Sequence, residues 1–172
     1  MSDKKALIVI DMQNDYLWAE RKPKFSYNTD TLTSNVNDVI HRYENEGADI
    51  IYIGQVFPDI ITNRMFIGFS IKGSQGAEQY SGLDIVSKLY FEKNLPNTFT
   101  SKPFREYMSQ KKYSEITVCG LDLCGCVGAT AEGALKTGAK VFLVENSTGC
   151  RFSTVKAEKR KKELQSKGVK FI

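Results

Sequence analysis

The stretch from Glu115 to Gly138, EITVCGLDLCGCVGATAEGALKTG, constrains the chain more than any other. Ile116-Thr117-Val118-Cys119 is an apolar run of strand length. A tight loop follows, then a helical segment of small residues: Gly128, Ala129, Ala131, Gly133 and Ala134. Cys126 stands at the start of that helix, with Gly125 before it and Val127 after. A helix N-terminus presents unpaired backbone N–H groups and a partial positive charge. Both favour a thiolate over a thiol, and the same N–H groups can hold an oxyanion. From this stretch alone, Cys126 reads equally as a nucleophile or as one more buried thiol.

The rest of the chain repeats the strand-then-helix order. Lys5–Ile10, Ala48–Gly54, Ile85–Glu92, Ile116–Leu121, Lys140–Glu145 and Val169–Ile172 are predicted strands. Asp30–Glu46, with Asp30 or Thr31 as N-cap, Lys102–Lys112 and Ser153–Lys167 are predicted helices. Alternation of this kind means parallel strands joined by crossovers, an α/β fold. With no repeat and no linker, residues 1–172 read as one domain. Trp18–Thr29 is loop-like. Phe57–Leu83, rich in Gly and aromatic residues, reads as a lid, a pocket wall or a surface excursion.

Composition removes several classes of function. Hydrophobic residues make up 41% of the chain and charged residues 26%, as in a folded globule. The net charge of +4 is concentrated between Lys156 and Lys170. No aromatic residue is interleaved there to stack bases, so a solvated helix face is expected and nucleic acid is not. No leader and no membrane span are expected. Four cysteines without a secretion signal suit a reducing compartment, the cytoplasm. Their positions, Cys119, Cys124, Cys126 and Cys150, do not make a zinc spacing. His41 is the only histidine and lies within a helical pattern far from the other motifs. Ser-His-Asp, Cys-His and His-rich metal chemistry are therefore not expected.

In a parallel sheet all strand carboxyl ends share one edge, and ligands bind there at the point where strand order reverses. Asp11 leaves the first strand, Lys93 the third, and Cys126 follows the fourth. Together they supply a base, a cation and a nucleophile. Taken singly, Asp11 could cap a turn, a role that suits Asp15 better, and Lys93 could be solvated surface.

Four ordered motifs carry a resemblance: Ile8-Val9-Ile10-Asp11-Met12-Gln13-Asn14-Asp15-Tyr16, Lys72-Gly73-Ser74-Gln75-Gly76-Ala77-Glu78, Glu92-Lys93-Asn94 with Phe99, and Val118-Cys119-Gly120-Leu121 running to Cys126-Val127-Gly128-Ala129-Thr130-Ala131. Along essentially its whole length the chain resembles the isochorismatase-like cysteine hydrolases, the superfamily of nicotinamidase and N-carbamoylsarcosine amidase. The resemblance implies a Rossmann-like three-layer sandwich, its six-stranded parallel sheet ordered 3-2-1-4-5-6 with helices on both faces. It implies a catalytic triad of Asp11, Lys93 and Cys126. It also implies a cis peptide at Leu121-Asp122 and an oxyanion hole from the N–H groups of Asp122 and Cys126. The implied reaction is acyl transfer through a Cys126 thioester on a small-molecule substrate, in a homo-oligomer and with no cofactor. Met12, Gln13, Trp18, Phe57 and Phe99 lie near the motifs and are expected either to line the substrate cleft or to be plain core.

Two departures narrow the expectation. Nicotinamidases carry Asp-x-His after the second strand, whereas this chain has Gly54-Gln55-Val56-Phe57-Pro58-Asp59. No catalytic metal is expected, and nicotinamide is disfavoured as substrate. Isochorismate hydrolases tend to lack the nucleophilic cysteine, so Cys126 points to an amide or ureido bond. Leu123-Cys124-Gly125 replaces the usual Thr-Asp before the nucleophile, which raises a Cys124–Cys126 redox pair as an alternative. Other isochorismatase-type hydrolysis, or an idle scaffold, completes the set of readings.

Overall fold

Continuous apolar runs become the centre of the sheet. In the computed structural model, which describes residues 4–172, β1 (Lys5–Ile10), β2 (Asp49–Gln55) and β4 (Glu115–Leu121) are buried beyond their first residue. Parallel strands covered on both faces require this. β3 (Tyr90–Lys93), β5 (Lys140–Gly149) and β6 (Lys170–Phe171) complete a six-stranded sheet. Its order is β3-β2-β1-β4-β5-β6, with every pair parallel.

Side chains alternate between the two faces. Leu7, Val9, Tyr52 and Cys119 pack beneath α2 (Thr29–Asn45), against Leu32, Val36, Ile40 and Tyr43. Ala6, Ile8, Ile10, Ile116 and Val118 face the opposite layer, formed by α4 (Lys102–Lys111), α5 (Cys126–Leu135) and α6 (Thr154–Ser166). Phe104, Met108, Val127, Ala131 and Leu164 fill that side. The result is the three-layer sandwich that the sequence implies.

Four local expectations change. α2 starts at Thr29 and is capped by Asn28, whose side chain accepts from the Thr31 N–H. Asp15 does not cap its own short helix, α1 (Asn14–Leu17); its carboxylate accepts from Ser70 N at 2.6 Å. The third strand is shorter than Ile85–Glu92. Only Tyr90–Lys93 pairs with β2, because the Tyr52 hydroxyl donates to Asp84 O and accepts from Val86 N, taking up backbone groups that a ladder would use. The fifth strand is longer than Lys140–Glu145. After a register shift between Val118 and Gly120, it continues beside β4 until Gly149 meets Leu121.

Within the excursion from Phe57 to Leu83, α3 (Ile61–Phe66) buries none of its side chains. The far end of this excursion is tied down, Gln79 forming an antiparallel bridge with Gln13.

Gly120 lies opposite Ile10, near the ends of β4 and β1 that lead to the site. Its φ is +106°, and a Cβ there would collide with the Ile10 backbone carbonyl oxygen. Neither the conformation nor the space admits a side chain. Gly120→Ala is expected to remove about 2–4 kcal/mol of stability. Urea unfolding of purified protein checks this, and a midpoint equal to that of wild type would contradict it.

Candidate active site

The carboxyl edge of the sheet gathers the three residues singled out in the sequence. Asp11 follows β1 with a φ of 55°, in the left-handed region, and its N–H still donates to Ile53 O as though the ladder continued. Lys93 is the last residue of β3, and its side chain is fully buried. Cys126 is the first residue of α5 and partly buried. The Lys93 ammonium donates to Asp11 Oδ2 at 2.9 Å and to Gln55 Oε1 at 2.6 Å, and it lies 3.2 Å from Cys126 Sγ. Asp11 Oδ1 is buried and has no hydrogen-bond partner among the described residues. A buried carboxylate oxygen in that state is an acceptor awaiting a donor.

Electrostatics here differ from the sequence expectation in one respect. The helix N-terminus alone would favour the thiolate. Burial instead pushes the Cys126 thiol well up, Asp11 pushes it further, and Lys93 offsets only part of this. Burial also works against the Lys93 charge, but Asp11 and then Cys126 outweigh it, so the ammonium holds its proton above the ordinary lysine range. At rest the site is a carboxylate–ammonium pair beside a protonated thiol.

The loop before Cys126 has the cis peptide at Leu121-Asp122. The Asp122 carbonyl accepts from Gly125 N and Val127 N, and Leu123 N donates to Gly149 O. This leaves the N–H groups of Asp122 and Cys126 without a partner among the described residues. The Asp122 carboxylate braces the same turn. It accepts from Cys124 N at 2.9 Å, from Arg151 N at 2.7 Å and from the Tyr27 hydroxyl at 2.9 Å.

A cleft of about 290 Å³ opens on Cys126. Asp11, Gln55, Leu121, Asp122 and Gly125 form its floor, and Tyr16, Phe25, Tyr27, Phe57 and Phe69 supply aromatic walls. Lys24 and Arg151 bring two cations to the rim, and neither has an acidic partner among the described residues. Lys24 is held below the usual lysine range by partial burial, by Lys22 and by Arg151.

Of the residues expected to line the cleft, Phe57 does so. Gln13 is a buried clasp instead: its amide donates to Gln55 O and Ala77 O and accepts from Gln55 N. Met12 is core beneath α2. Trp18 borders a separate groove with Asp59 and Arg64. Phe99 packs on Phe104, with its ring against Gly133, on the far side of the sheet. Lys24, Phe25, Tyr27 and Arg151 were not singled out in the sequence. The one available signal was the cluster of cations and aromatics in the loop after the first strand. Cys124 Sγ lies 3.7 Å from Cys150 Sγ, while Cys126 Sγ faces Lys93 and Gln55, so the thiol paired with Cys124 is Cys150.

The groups around the cleft do not fit a metal ion. Gln55 Oε1 is already committed to Lys93, and Phe57 offers no donor atom. His41 lies on α2, exposed, with Nε2 2.8 Å from Asp84. No metal-dependent step follows from such a donor set.

Known proteins share this architecture. The chain resembles an uncharacterized isochorismatase family protein of Bacillus subtilis, YddQ, at 25% identity over 154 residues, covering 89% of this chain and 81% of that protein. The crystal structure of a Pyrococcus horikoshii pyrazinamidase in complex with zinc superposes with a TM-score of 0.78 at 25% identity, covering 98% of both chains. An N-carbamoylsarcosine amidase from Thermoplasma acidophilum shares the fold, with a TM-score of 0.80 at 21% identity over 98% of this chain and 95% of that one. The Isochorismatase domain matches residues 5–169, nearly the whole length, and the chain belongs to the isochorismatase family.

Proposed function

We propose that this isochorismatase-family hydrolase cleaves a C–N bond, amide or ureido, in a small anionic molecule through a thioester on Cys126. The observation that carries the reading is the position of Lys93 Nζ between Asp11 Oδ2 and Cys126 Sγ, with Asp11 Oδ1 left unpartnered. Because the resting sulfur is a thiol, attack on the carbonyl carbon is coupled to transfer of its proton to Asp11. Lys93 remains a cation and offsets the charge that develops on sulfur. The N–H groups of Asp122 and Cys126 receive the tetrahedral oxyanion. Asp11 then returns the proton to the leaving nitrogen. Water, deprotonated by the same carboxylate, attacks the thioester carbon and releases the acid and the thiol.

The anionic character of the substrate is read from Lys24 and Arg151, two rim cations without acidic partners among the described residues, beside apolar walls. Such cations favour a carboxylate over a neutral amide. A small molecule, and not nucleic acid, is the proposed partner. The basic helix α6 already pairs Arg160 and Lys167 with Glu132, and Lys161 with Glu145. A reducing compartment such as the cytoplasm suits four free thiols.

Two experiments test this. Asp11→Asn removes the carboxylate that pushes the Cys126 thiol up. Its alkylation by iodoacetamide at neutral pH is expected to speed up about threefold, while Lys93→Ala slows it by a similar factor. Both variants should lose hydrolysis. If alkylation moved in the opposite directions, the assigned charges would be wrong. Across a panel of N-carbamoyl and N-acyl amino acids and their neutral amides, only the acids should be hydrolysed well. Arg151→Ala is expected to raise KM for them about tenfold or more with kcat little changed. Equal turnover of the neutral amides would remove the case for an anionic substrate.

A further inference from the structure

Besides Cys119, buried in the core, two partly buried thiols stand outside the proposed chemistry. Cys124 lies in the turn before the nucleophile, and Cys150 is the residue after β5. Both are partly buried, and their sulfurs are 3.7 Å apart. The backbone on each side is held in register. Leu121 pairs with Gly149 across the two strands, and Leu123 N donates to Gly149 O at 2.9 Å. Closing the sulfurs to bonding distance, about 2.0 Å, therefore calls for rotation of the side chains more than movement of the chain. The other contact of the Cys124 sulfur is long, 3.9 Å to Lys156 O.

We propose that Cys124 and Cys150 form a reversible intrachain disulfide, with low-molecular-weight disulfides of the glutathione class as the oxidant. Its effect is to tether the turn that precedes Cys126 to the end of β5. One of the two thiols, as its thiolate, attacks one sulfur of the small disulfide, giving a mixed disulfide and one small thiolate. The other thiol then loses its proton and attacks the protein sulfur of that mixed disulfide, expelling the second small thiolate. One protein disulfide is gained, one small disulfide becomes two thiols, and the two protein protons are taken up by them. Burial, and then the Cys150 thiol it faces, push the Cys124 thiol up, and the balance is the same whichever thiol attacks first.

A metal ion is the weaker occupant. Asp122 is the third group within reach, but its carboxylate oxygens already accept three hydrogen bonds. A closed structural zinc site takes four ligands. The tether also bears on the site, because Asp122 accepts from the backbone N–H of both Cys124 and Arg151. Formation of the bond does not depend on the hydrolase reading.

The full chain is equilibrated in mixtures of reduced and oxidised glutathione, quenched with acid, digested without reduction and read by tandem mass spectrometry. Expected is a Cys124–Cys150 cross-link with loss of two hydrogens per chain, reversed by dithiothreitol, while Cys126 stays open to alkylation. Hydrogen exchange over residues 121–127 should slow about threefold or more on oxidation, because a cross-link removes opened forms. The same oxidant should change nothing in Cys150→Ser. Glutathione adducts without a cross-link, or a link from Cys124 to Cys126, would overturn the proposal. One equivalent of zinc that binds and shields both thiols from oxidation would replace it with a metal site. Unchanged exchange in the cross-linked wild type would remove the tether. Should Cys150→Ser fail to fold, the wild-type digest still decides.

Discussion

The buried ammonium of Lys93 is the point on which both fold and chemistry depend. Removing a charge from water costs several kcal/mol unless partners replace the lost solvent. Here the partners come from three other elements: Asp11 after β1, Gln55 at the end of β2, and the sulfur at the first turn of α5. The edge strand β3 is only four residues long, yet it ends on this lysine. Losing Asp11 or Lys93 would leave an uncompensated buried charge, so the register of four elements and the protonation of one thiol are settled by a single cluster. The same cluster explains the left-handed backbone at Asp11. Strain of this kind persists where the surrounding structure over-determines it.

The parts of the fold legible in the sequence are those fixed by local chemistry. β1, β2 and β4 are continuous apolar runs because both of their faces are covered, and their ends could be read to within about one residue. That Asp11, Lys93 and Cys126 would converge was legible because each lies at a strand or helix end, where a parallel sheet gathers its polar groups. The limits of β3 and β5 were not. β3 is cut short by the hydroxyl of Tyr52, a side chain from the neighbouring strand. The last part of β5, Asn146-Ser147-Thr148-Gly149, is polar and turn-like in composition. Only Thr148 and Gly149 of it rejoin the ladder, opposite Gly120 and Leu121, after the register shift.

The cleft walls were hidden for a related reason. Phe25 and Tyr27 belong to a loop with no periodicity, and Arg21 holds that loop by donating to the carbonyls of Leu17, Trp18, Phe25 and Tyr27. No spacing rule encodes such a knot. The direction of the Cys126 shift was equally out of reach. The helix terminus and the lysine are visible in the sequence, whereas the depth of burial and the approach of Asp11 are products of packing.

The Gln13 clasp has a consequence for how a scaffold of this kind can vary. Its amide joins Gln55, where the excursion leaves β2, to Ala77 near its far end, and Asn14 N and Tyr80 N bond back to Glu78 O and Met12 O. The excursion is thereby closed into a ring at its base. No residue from Pro58 to Gly68 is buried, so the outer arc of that ring carries almost none of the packing. Doubling the length of a flexible arc raises its closure entropy by only about 0.6 kcal/mol. The arc between Phe57 and Phe69, two of the cleft walls, is therefore a part of the molecule where insertions and deletions are cheap. Substrate range can drift there while the clasp holds the chemistry beneath it unchanged.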